Sequence, residues 1–170
     1  MNKAMLKRSF FLVVAIVSVQ ATCNYTFKDV SIPPEVKTVS VRYIENRARY
    51  INPQLSPQLT DRLRQKITGQ TRLTIINSDD AHYDIGGYIT DFSVNTSGIS
   101  GNQASSNNLN VTVHIVFKNR LDEKKNFETD ITRNFPFSAS ISFTDAQNRL
   151  MDDILKNVSD DIFNKVFSNW

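Results

Sequence analysis

Apolar residues in this chain recur with two periods, and the switches between them mark out the elements. Residues 36–44 (VKTVSVRYI) alternate, with Val39, Val41 and Tyr43 on one side, as a half-buried strand does. Leu55, Leu59, Leu63 and Ile67 then recur every four residues behind Pro57, which predicts a helix from about Ser56 that Gly69 can end. Leu73–Ile76 is a short apolar strand, and 82–94 (HYDIGGYITDFSV) is a longer one in which Gly86-Gly87 marks a bulge or a close backbone approach. Residues 95–108 are Ser, Asn and Gly-rich without an apolar period and read as a mobile connection. The clearest alternation follows: Leu109, Val111, Val113, Ile115 and Phe117 against Asn110, Thr112, His114, Val116 and Lys118. After a charged loop at 119–126, Phe127, Ile131 and Phe135 are in phase in a last strand that Pro136 stops.

The chain closes on a long helix with Thr144 as expected N-cap, since Thr144 and Gln147 have capping-box spacing. Its stripe comprises Leu150, Met151, Ile154, Leu155, Val158, Ile162, Phe163, Val166 and Phe167, continuing to Trp170. The order β-α-β-β-β-β-α predicts an α+β fold: two helices packed on one face of a four- to five-stranded mixed sheet.

The N-terminus has a different character. Lys3, Lys7 and Arg8 precede an unbroken apolar run from Phe10 to Val19, and Gln20-Ala21-Thr22-Cys23 closes it. That is the order of a secretory signal, and the run is short for a membrane span. Cys23, the only cysteine, stands where a bacterial lipoprotein is acylated after cleavage. The expected organisation is therefore a signal peptide at 1–22 and one domain at 23–170, lipid-anchored through Cys23. An ordinary signal peptide or an uncleaved anchor is the other reading of the same run.

Cleavage alters the charge argument. The whole chain has 20 Lys and Arg against 17 Asp and Glu, and the signal holds three of the bases and no acid, so the remainder is formally neutral. Global charge thus gives no support for nucleic-acid binding. One cysteine allows no intrachain disulfide, so the domain depends on its apolar core.

Motifs for catalysis are absent from the sequence: no Gly-x-Ser-x-Gly, no His-Glu-x-x-His, no phosphate-cradling glycine loop. His82 and His114, the only histidines, lack metal-ligand spacing, and His114 reads as a solvated surface residue. Asp79, Asp80 and Asp84 lack the glycine and distal glutamate of a calcium loop and read as turn formers. No catalytic residue, metal or cofactor is expected. One asymmetry remains: Lys37–Arg72 holds eight basic residues against Glu45 and Asp61, and Arg62 and Lys66 are like charges at i,i+4. Arg62, Arg64, Lys66 and Arg72 are therefore candidate contacts for an anionic lipid, with a solvated helix face as the plainer alternative.

Taken in order, Cys23-Asn24-Tyr25-Thr26-Phe27, Ser31-Ile32-Pro33-Pro34-Glu35-Val36-Lys37-Thr38-Val39-Ser40-Val41, Asn46-Arg47-Ala48 and Leu55-Ser56-Pro57-Gln58-Leu59-Thr60 resemble the LptE-type lipoproteins. So do Gln70-Thr71-Arg72-Leu73, Asp161-Ile162-Phe163-Asn164 and Asn169-Trp170. The resemblance implies a non-catalytic outer-membrane lipoprotein that faces the periplasm, its acyl chains in the membrane's inner leaflet. It would plug and help assemble an LptD-type β-barrel, and the pair would deliver lipopolysaccharide to the surface. It also implies two helices on a four-stranded sheet, with Cys23 as acyl anchor. A periplasmic adaptor or binding lipoprotein of another envelope machine is the alternative function.

Overall fold

The computed structural model describes residues 32–100 and 103–168. Its elements, in chain order, are β1 (Thr38–Val41), β2 (Glu45–Asn46), α1 (Leu55–Gln70), β3 (Thr74–Ile75), β4 (Tyr83–Ser100), β5 (Gln103–Asn119), β6 (Phe127–Ser138) and α2 (Phe143–Phe167). The sheet runs β3-β1-β4-β5-β6, and β2 pairs with β4 beyond the end of β1. β1 is parallel to β3 and β4, β2 is parallel to β4, and β4-β5-β6 form an antiparallel meander. The α+β class and the mixed sheet are as expected. The sheet has six strands because Glu45–Asn46, too short for a periodic signal, adds one to the expected order.

Both helices cover the same side of the sheet. Val39, Val41, Ile85, Ile89, Phe92, Leu109, Val111, Val113, Ile115 and Phe117 point to that side and are buried. The four-residue period of α1 meets them with Leu55, Leu59, Leu63 and Ile67, each fully buried. From α2 come Met151, Ile154, Leu155, Val158, Ile162, Phe163, Val166 and Phe167. The continuation of that stripe to Trp170 lies outside the described residues. Lys66 ties the helices together, with its Nζ 2.7 Å from Asp160 and 5.2 Å from the Phe163 ring centre.

Five local expectations are corrected. Residues 95–108 are largely an extension of the β4–β5 hairpin, with Asn95 opposite Asn108 and Ser100 opposite Gln103. Polar residues suffice there because backbone pairing needs no apolar face, and an arm beyond the core has nothing to bury. β6 runs through Pro136 to Ser138, which an edge strand tolerates because half of its N–H groups have no neighbour to serve. α1 continues through Gly69 and ends at Thr71, whose Oγ1 donates to the Ile67 carbonyl at 2.7 Å. The N-cap of α2 is Ser142, whose Oγ accepts from the Asp145 N–H at 3.1 Å, and Thr144 lies inside the helix. Tyr43 lies beyond the end of β1 and is 53% exposed, so it does not share the burial of Val39 and Val41.

The glycine pair serves close approach. The register of β4 and β5 is continuous through Gly86 and Gly87 and shifts later, between Ile89 and Asp91. Gly87 has φ +157°, and a Cβ there would collide with the His114 carbonyl oxygen and come within 3.2 Å of the Ile115 Cα. At Gly86 the missing side chain leaves room for Arg42 to lie across the sheet, its Cδ 3.4 Å from where a Cβ would stand.

Candidate functional site

Alternation along each strand fixes what the uncovered side of the sheet presents. Because β5 buries its odd-numbered apolar residues, Asn110, Thr112, His114, Val116 and Lys118 occupy the opposite side. The antiparallel register then places Tyr88 opposite His114 and His114 opposite Asp130, with Thr112 opposite Thr132 and Asn110 opposite Asn134. The parallel pairing of β2 adds Glu45 opposite Tyr88.

The result is a polar row crossing four strands. Glu45 binds Arg47 at 2.8 Å, and the Arg47 guanidinium lies 4.3 Å from the Tyr88 ring centre. The Tyr88 and His114 rings are 5.0 Å apart, His114 Nδ1 is 2.7 Å from Asp130 Oδ1, and Nε2 is 3.5 Å from Glu128 Oε2. His114 is thus held between an aromatic ring and two carboxylates, where the sequence suggested a solvated residue. A second charged group sits at the β1 end. Arg42 donates from Nε to both oxygens of the largely buried Asp84 at 2.9 Å and from Nη2 to the exposed Asp79, also at 2.9 Å. The hydrogen bond and charge of Asp84 raise the Arg42 pKa above its ordinary value. Towards the hairpin arm the face carries a Thr112–Thr132 hydroxyl bond at 3.0 Å, Asp91 accepting from the Ser93 hydroxyl at 2.9 Å, and then asparagines.

The four basic positions of the sequence analysis lie elsewhere and do not converge. Arg62 is exposed on α1 and makes no ion pair or side-chain hydrogen bond among the described residues. Arg64 donates from Nη2 to the Val41 carbonyl at 2.8 Å, its Nη1 is 3.6 Å from Asp61, and its buried Nε has no partner. Lys66 is engaged by Asp160, and Arg72 donates from Nη2 to the Ile32 carbonyl at 2.6 Å. Three of the four therefore also secure the fold. Cys23 lies outside the described residues. His82 is structural: its Nδ1 accepts from the Lys37 N–H at 3.1 Å.

At the far end of the sheet, Tyr83, Phe117, Phe127, Val166 and Phe167 enclose a half-open cavity of about 320 Å³ with Lys124 and Lys125 at its lip. Burial, with a smaller contribution from Glu35, pushes the Tyr83 hydroxyl above its ordinary pKa. Among the described residues no group of three His, Cys, Asp or Glu side chains is placed to hold a metal ion. No described helix is long and apolar enough to cross a membrane. The charged row escaped the sequence reading because its cross-strand partners are 14 to 43 positions apart; only the alternation of β5 hinted at it.

Two helices on one side of a mixed sheet, with the other side open and polar, define a two-layer α+β domain also seen in other solved structures. A minor lipoprotein from Acinetobacter baumannii is 16% identical, with 75% of this chain and 89% of that one covered at a TM-score of 0.50. Protein XCC0632 from Xanthomonas campestris is 12% identical, with 79% and 85% covered at a TM-score of 0.51. At these identities the likeness is one of fold. No curated protein sequence matches the chain. The family model described as LptE, lipopolysaccharide-assembly, matches residues 36–166, and the chain belongs to that family.

Proposed function

We propose that this chain is a non-catalytic outer-membrane lipoprotein, cleaved after residue 22 and acylated on Cys23. It faces the periplasm, plugs and helps assemble an LptD-type β-barrel, and takes part in delivering lipopolysaccharide to the outer leaflet. Membership of a lipopolysaccharide-assembly family supports the process. The observation that carries the plug role is the open sheet face, lined by Arg42, Asp84, Tyr88, His114, Thr112 and Asn110 and covered by no element among the described residues. A barrel lumen is polar and wet, and a face on which Arg42, Arg47 and His114 already have carboxylate partners enters one with few charges left unpaired. On the other side of the molecule, Arg62, Arg64 and Lys66 of α1 and Arg72 just after it, of which Arg62 and Arg72 are exposed, are the proposed lipopolysaccharide contacts through phosphate pairing.

The deciding experiment is affinity purification of tagged full-length protein from detergent-solubilised envelopes. Stoichiometric recovery of a large β-barrel is expected; recovery alone, or with unrelated envelope proteins, removes the plug role. Fractionation of Cys23→Ala tests the anchor, because a variant of mature size that still sediments with membranes is incompatible with acylation there.

A further inference from the structure

The sheet has three open edges, and they are not treated alike. β3 is only two residues long and is followed by Asp79 and Asp80. β6 is long but carries Glu128, Asp130, Arg133 and Pro136. Shortness, charge and proline are the usual protections of an edge against pairing with another chain. The third edge is the outer side of β4 beyond Ile89. β1 and then β2 occupy that side as far as the Arg47 N–H, which donates to the Ile89 carbonyl at 2.9 Å, and there the chain turns away. From Phe92 to Ser97 the sequence is FSVNTS, with neither charge nor proline.

The register says which backbone groups this edge offers. Ile85 and Ile89 turn their carbonyls to Arg42 and Arg47, on the outer side. The irregularity between Ile89 and Asp91 inserts one residue and shifts the alternation, so Asp91, Ser93 and Asn95 turn towards Thr112, Asn110 and Asn108 of β5. The N–H and C=O groups of Phe92, Val94 and Thr96 therefore face outward, and no strand among the described residues pairs with them. Beside them lie exposed apolar side chains: Val94 is 39% exposed, and Tyr50, 42% exposed, stacks its ring on Phe92 at 5.9 Å. On the other side of the strand stand the polar Asp91, Ser93 and Asn95.

We infer that the β4 edge from Asp91 to Ser97 is a docking site that takes an extended strand of a partner polypeptide by backbone hydrogen bonding, in line with β2. Outward N–H and C=O groups in alternation are matched by another extended backbone and by little else. Seven residues accommodate a strand of ordinary length. The occupant alternates apolar side chains, which meet Val94 and Tyr50, with polar ones beside Asp91, Ser93 and Asn95. Identifying the donor as the barrel partner rests on the function proposed above; the strand addition itself does not.

The test is hydrogen exchange read by mass spectrometry on peptides spanning 91–98, comparing the isolated protein with the protein extracted from envelopes in mild detergent. Wild type, Val94→Lys and the α2 control Asn164→Lys, at an exposed position away from both the open sheet face and the β4 edge, are extracted in parallel. The expected result is exchange slowed about 100-fold in extracted wild type and control, with fast exchange and loss of the co-purifying polypeptide in Val94→Lys at an unchanged melting temperature. Unchanged exchange in extracted wild type, or retention of the partner by Val94→Lys, overturns the inference. Protection that instead grows with concentration in the isolated protein assigns the edge to a second copy and also overturns it. Slowed exchange with a co-purifying polypeptide that is not a barrel sustains the docking site and rejects the plug role.

Discussion

Gly87→Ala and Gly69→Ala are the same chemical change, and the structure gives them opposite signs. At Gly87 the added methyl would overlap the His114 carbonyl oxygen and press on the Ile115 Cα, in the centre of the β4–β5 pairing where neither backbone can retreat alone. Such overpacking costs about 1–3 kcal/mol. The positive φ, which alanine adopts poorly, adds about 1–2 kcal/mol. A total of roughly 2–5 kcal/mol lowers the melting temperature of a domain this size by about 4–20 °C. Gly69 is in the last turn of α1, and a Cβ there meets nothing within 4 Å. Alanine at that position removes backbone freedom from the unfolded chain and stabilises by about 0.5–1 kcal/mol. Thermal and urea unfolding of both variants, followed by circular dichroism, measures the contrast. A Gly87→Ala protein melting within about 1 °C of wild type would refute the assigned strand register, and Gly69→Ala melting lower would refute the helical continuation past it.

Three further outcomes follow from individual contacts. Thr60 is buried, accepting from the Ile44 N–H at 3.1 Å and donating to the Ser56 carbonyl at 2.8 Å. Thr60→Val leaves that N–H unpaired and should cost about 1–3 kcal/mol in urea unfolding; no change would mean the bond is not formed. Burial raises the Tyr83 pKa, so folding holds its proton above the ordinary tyrosine value of about 10. Its contribution to stability is whole below that value and is lost as pH rises through the folded pKa. Absorbance titration should therefore show a late-ionising tyrosine that Tyr83→Phe abolishes, and an unchanged titration curve refutes the assignment. Finally, Arg62→Glu should weaken lipopolysaccharide binding with an unaltered melting temperature, whereas Lys66→Glu, facing Asp160, should lower stability by about 1 kcal/mol. Equal melting temperatures for the two would contradict the different roles the fold assigns these bases.

Most of the layout is legible in the sequence, because periodicity is a one-dimensional consequence of burial. Leu55, Leu59, Leu63 and Ile67 face the sheet because helix geometry stacks every fourth residue on one side, and Leu109 to Phe117 alternate because pleated strands do. The family resemblance was likewise carried by short runs of residues in order. Where local chemistry is permissive, the chain alone misled. Serine, asparagine and glycine at 95–108 are compatible with a loop or a ladder, and only the partner strand, supplying hydrogen bonds residue by residue, made them a hairpin arm. The N-cap of α2 fell at Ser142, where the connection from β6 ends in extended backbone, and not at the expected Thr144. The charged row from Glu45 to Asp130, the internal partners of Lys66 and Arg72, and the bare edge of β4 are all products of register and strand order. These place residues from distant parts of the chain a few ångströms apart, and no periodicity records that distance. The sequence determined which residues are buried; tertiary structure decided which polar groups meet and which backbone edge was left open.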